Sequence, residues 1–112
     1  MNKDWQKNFP GAITLCDKDF IIIYMNEKAI NTFKEDGGEK LIGKNLLECH
    51  NEKSKLEILK IRDSGEPKAY TIEKKGIKKL IYQAPLFGNS EYSGMVELSL
   101  EIPFDMSHFK RD

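Results

Sequence analysis

The chain has 112 residues, enough for one hydrophobic core and a single domain. It is 39% hydrophobic and 32% charged, and its 18 basic residues balance 18 acidic ones. That composition excludes a disordered polyelectrolyte and the broad positive field on which nucleic-acid binding depends. The longest apolar run, Phe20 to Met25, is too short for a membrane span, and the first nine residues lack a signal-peptide core. Cys16 and Cys49 make neither a disulfide framework nor a zinc spacing, so a reduced, cytoplasmic setting is expected.

Residues 3–9 predict one short amphipathic turn with Trp5 and Phe9 on one side, broken by Pro10-Gly11. "AITLCD" alternates, with Ile13 and Leu15 on one face and Ala12, Thr14 and Cys16 on the other, which is a strand pattern. Asp17-Lys18-Asp19 supplies a turn, and Phe20–Met25 returns as a second strand whose three isoleucines suggest cover on both faces. Asn26 is placed to cap a helix carrying Ala29, Ile30 and Phe33, which Gly37-Gly38 ends. A short turn over 39–42 stops at Gly43.

Asn51 or Ser54 then caps a helix of about three turns, with Leu56, Ile58, Leu59 and Ile61 as apolar positions and Gly65 at its close. Three strands follow. The first is 68–74; the second is 77–87, where Pro85 indicates an edge or a bulge. "KKGIKK" between them is a solvated hairpin tip, and "GNSEYSG" is a polar loop. In the last strand Val96, Leu98, Leu100 and Ile102 face one way, while Met95, Glu97, Ser99 and Glu101 face the other. Strands on either side of a helical cluster predict an α+β fold, a five-stranded antiparallel sheet with short helices on one face. A small molecule would sit in a pocket between the two layers.

In this order the elements resemble a PAS domain over roughly residues 9–105. "FIIIYMNEKAINTF" is similar to the family's second strand and following helix, with Asn26 at its habitual asparagine. "EKLIGKNLLE", "DSGEP" and "GMVELSLEIPFDMS" are similar to three further motifs in the family's order. The resemblance divides the chain into an N-terminal amphipathic cap (1–10), a PAS domain (11–105) and a tail (106–112). It implies a non-catalytic sensor or signalling module that acts through a homodimer, an effector or a histidine-kinase-type partner, with a ligand-free dimerisation or protein-interaction module as the alternative. Trp5 and Phe9 are the implied dimer contacts. The sequence ends soon after the last motif, which implies a free-standing module or a piece of something longer.

Cys49 and His50 stand side by side at the entrance of the long helix, as in a subgroup of bacterial PAS domains. With Asn26, Tyr24, Leu56 and Leu59 they are the candidate ligand-binding residues. A thiol-linked chromophore is disfavoured. The tyrosine and glutamate that accompany such a chromophore in a PAS relative correspond here to Met25 and to Ile30 or Ala29, and a buried phenolate would lack hydrogen bonds. Flavin is disfavoured because Leu46, not cysteine, follows Asn45. Haem iron is the one metal for which His50 is a candidate ligand. The leading expectation is structural: Cys49 as a small buried hydrophobe and His50 bonded to backbone at the helix start.

Overall fold

A computed structural model describes residues 4–112, apart from the side chain of Cys49. Lys3, the first residue of the expected amino-terminal turn, lies outside them. Five strands form one antiparallel sheet: β1 (Ala12–Asp17), β2 (Ile22–Met25), β3 (Lys68–Lys74), β4 (Ile77–Gly88) and β5 (Glu91–Ile102). Their order is β2-β1-β5-β4-β3, so the first and last pieces of the chain meet at the centre. Between β2 and β3 lie α1 (Glu27–Thr32), three 3-10 turns and α2 (Glu52–Ser64). Among the described residues no helix is long and apolar enough to cross a membrane.

Local chemistry sets the boundaries. Asn26 Oδ1 accepts from Ala29 N–H and caps α1, and Asn51 does the same for α2 through Ser54 N–H. Gly65 ends α2 in the left-handed conformation (φ 73°), which has no Cβ penalty there. Lys75-Gly76 turns the β3–β4 hairpin with both residues at positive φ, as a tight two-residue hairpin requires.

Among the described residues α1, α2 and the 3-10 turns between them cover one face of the sheet. On that face Ala12, Ile22, Met25, Ala29 and Leu41 form one buried cluster, and Cys16, Phe20, Ile58, Ile61 and Met95 form another. Leu46 packs against both. The opposite face carries Leu15, Val96, Leu98, Leu100, Leu80 and Tyr82, aligned by the register of β1, β5 and β4. The 3-10 turn Trp5–Asn8 leads to Phe9 at its edge, where a methyl group on Gly11 would collide with both Phe9 and Leu100.

Two details depart from expectation. Residues 88–94 are not a loop: Phe87 pairs with Tyr92 and Gly88 with Glu91, and only Asn89-Ser90, both at positive φ, form the turn. The isoleucine run is not covered on both sides, because β2 is an edge strand with an irregular register. Ile22 is buried, whereas Ile23 is 52% exposed. Pro85, by contrast, meets its expectation: β3 begins at Lys68 opposite Gln83, so β4 is an edge on that side at Pro85, and an irregularity in register follows between Leu86 and Phe87.

Candidate functional site

A cleft of about 390 Å³ opens between the sheet and the helical layer, within the roughly 300–1,000 Å³ range of small-molecule sites. Met25, Phe33, Leu41, Leu46 and Met95 give it apolar walls. Its floor is polar. Thr14 stands opposite Glu97, Glu97 opposite Gln83, and Gln83 opposite Lys68, so one row of side chains crosses four adjacent strands. Within it Gln83 Nε2 donates to Glu97 Oε2 at 2.9 Å, and Gln83 is 6% exposed. At the end of the row Lys68 Nζ donates to Glu57 Oε2 of α2 at 2.8 Å, which holds the Glu57 carboxyl below its usual range.

His50 lines the cleft from the entrance of α2. Its Nδ1 lies 2.8 Å from the Leu46 carbonyl. A carbonyl only accepts, so Nδ1 carries a proton, and in the neutral ring Nε2 then holds the lone pair. That tautomer suits a hydrogen bond from a ligand, or a metal. The floor, however, does not suit a porphyrin. Glu97 is half-buried, and a macrocycle face would strip its water without returning a donor. The residues therefore fit haem iron at one atom and the haem as a whole poorly. Among the described residues no three His, Cys, Asp or Glu side chains gather to hold a metal ion.

Cys16 also lines the cleft, and burial pushes its thiol up to about 11, so it stays protonated and a poor nucleophile. Burial likewise pushes the Tyr92 phenol up to about 12, and its buried oxygen makes no hydrogen bond among the described residues. No activated nucleophile faces the cleft from these groups.

The expected site residues separate. His50 reaches the cleft, and the side chain of Cys49 lies outside the described residues. Asn26 does not face it. The residue is 1% exposed and fully engaged: Oδ1 accepts from the N–H groups of Ile13 and Ala29, and Nδ2 donates to the carbonyls of Gln6 and Gly11. Tyr24 pairs with Leu15 and so stands on the opposite face of the sheet. Leu56 is 66% exposed because it lies about 200° around α2 from the buried Ile58. Leu59 packs against the second core cluster instead of lining the cleft. The floor residues Thr14, Gln83 and Glu97 were not singled out from the sequence. Their signal was the polar alternation of β5, whose apolar positions point away from the helices.

No family model matches the chain, and no curated protein matches it. Solved structures do. A PAS domain of an HTR-like protein from Haloarcula marismortui superposes with a TM-score of 0.61 at 15% identity, covering 88% of this chain and 86% of that one. This chain has the PAS fold. The Aer2 receptor from Vibrio cholerae, described as a dual PAS-heme oxygen sensor, gives 0.63 at 18% identity over 83% of this chain and 95% of that one. Vibrio cholerae VqmA bound to DPO gives 0.69 at 13% identity over 88% of this chain and 56% of that one. On the PAS fold these similarities set the architecture, and the chemistry of the cleft belongs to this chain's own residues.

Proposed function

We propose that this PAS-fold domain is a sensor or signalling module that holds a small molecule between sheet and helices and catalyses nothing itself. The observation that carries the reading is the cleft: apolar walls over a polar row, buried Thr14 and Gln83 with half-buried Glu97, which no helix side chain among the described residues fills. A ligand would shift the domain between two states only by its difference in affinity for them. The output surface in this reading is the apolar outer face with Trp5 and Phe9, which meets a second copy or an effector. VqmA bound to DPO and the PAS-heme oxygen sensor Aer2 support a small-molecule role for the fold.

Thermal denaturation against a panel of small metabolites tests the proposal. A compound that binds only the native state raises the melting temperature as its concentration exceeds Kd. The rise should vanish when Gln83→Leu removes a floor donor. If no compound stabilises the chain and its self-association persists unchanged, the ligand-free interaction module takes over as the reading. A Soret band on adding hemin, lost in His50→Ala, would favour a haem sensor instead. That His50 bonds backbone through Nδ1 and lines the cleft, with no partner for Nε2 among the described residues, is the observation on its side.

A further inference from the structure

The cleft continues into a larger groove of about 610 Å³, bounded by α1, α2 and the β3–β4 hairpin. Both volumes share Phe33, Asp36, His50, Gln83 and Glu97, so they form one passage. Its two ends differ in charge. At the inner end Glu97 is half-buried, and its one hydrogen bond among the described residues comes from the neutral amide of Gln83. No cation lies within ion-pair distance of it among those residues. Gln83 Oε1 has no donor there either, although its residue is buried. A carboxylate and an amide oxygen that face a cavity with unfilled acceptor sites call for a donor from outside the chain.

The outer end is basic. Seven lysines outnumber four carboxylates around the groove. Lys28 and Lys68 are engaged by Glu101 and Glu57, whereas Lys34, Lys74, Lys75 and Lys79 make no ion pair among the described residues. Lys79 is four residues along β4 from Gln83 and on the same face, about 13 Å away at the rise of a strand. Between them the floor is Tyr70, Ile81 and Ser99.

We infer that the passage takes a dipolar small molecule: an N–H or cationic head on Glu97 and Gln83, an apolar body, and an anionic tail at Lys79 and the hairpin lysines. The inference rests on the small-molecule reading above and narrows it to a class. A purely anionic ligand is repelled at Glu97, and a purely cationic one is repelled at the mouth. A neutral apolar ligand leaves the Glu97 carboxylate desolvated with no donor in return.

Three probes separate the ends in an NMR titration of the isotope-labelled chain. Indole-3-butyrate has both an N–H and a carboxylate, 3-methylindole has only the N–H, and 4-(1-naphthyl)butyrate has only the carboxylate. Indole-3-butyrate should shift the amides around residues 83 and 97 and bind about tenfold more tightly than either other probe. Glu97→Gln should cost about that factor for the indoles and leave the naphthyl acid as tight or tighter. Lys79→Glu should weaken both acids and flatten their salt dependence. If all three probes bind the cleft equally, the dipolar class is wrong and the small-molecule pocket stands. If none perturbs the cleft, the class and the pocket reading fall together.

Discussion

Gln83 and Glu97 stand directly opposite each other on β4 and β5, joined by one 2.9 Å hydrogen bond on the helix-covered face of the sheet. A half-buried carboxylate bonded to a neutral amide is an expensive way to build a sheet. Gln83→Leu should destabilise the chain by about 1–3 kcal/mol, because Glu97 loses its partner while remaining desolvated. The double change Gln83→Leu with Glu97→Leu should restore most of that loss. Urea denaturation of the two single variants and the double variant measures the cycle. Equal losses from all three would mean that the pair serves stability instead of binding.

Asn26 ties three segments together, and its removal should be felt globally. Asn26→Ala deletes a helix cap and strands the Ile13 N–H and the Gln6 and Gly11 carbonyls. A loss of about 3 kcal/mol or more in unfolding free energy is expected. A melting temperature within a degree or two of the parent would refute this structural role.

The alkaline limb of stability should begin with Cys16. Burial raises its pKa from 9.0 to about 11, so between those values the native chain holds a proton that the unfolded chain has released. Stability is then full below pH 9 and falls as pH rises towards 11, by about 2 kcal/mol from this group. Cys16→Ala should flatten the unfolding free energy across that window. A slope unchanged by the substitution would assign the alkaline loss to other groups, Tyr92 first, whose window lies between 10 and about 12.

Trp5 is 57% exposed and meets Phe9 edge-to-face with ring centroids 5.5 Å apart, beside an apolar sheet face that no helix covers. The self-association proposed for this face should weaken at least about tenfold in Trp5→Asp and in Leu98→Asp, with the monomer still folded. Sedimentation equilibrium with circular dichroism checks both halves of the statement. A dimer indifferent to Trp5→Asp would move the contact elsewhere.

Much of the architecture was legible from local pattern. The period-two alternation in β1 and β5, the caps at Asn26 and Asn51 and the glycine stop at Gly65 each act over a few residues, so neighbouring residues reveal them, whereas α1 ends at Thr32 with Phe33 as its cap and not at the expected Gly37-Gly38. The candidate site was less legible. Of the residues singled out, His50 lines the cleft, while Asn26, Tyr24 and Leu56 do not. Leu56 was misread because spacing along α2 makes a stripe only when the phase of the helix against the sheet is known.

The sequence by itself determined which residues of β5 share a face: Met95, Glu97 and Ser99 on one side, Val96, Leu98 and Leu100 on the other. A strand's side chains alternate whatever surrounds it. Only the tertiary structure decided that the helices cover the more polar of those faces. That choice follows from where the chain crosses after β2 and which strands flank β5, and both depend on contacts between residues far apart in sequence. It placed Glu97 beside Gln83 over a cleft and left the leucines outside.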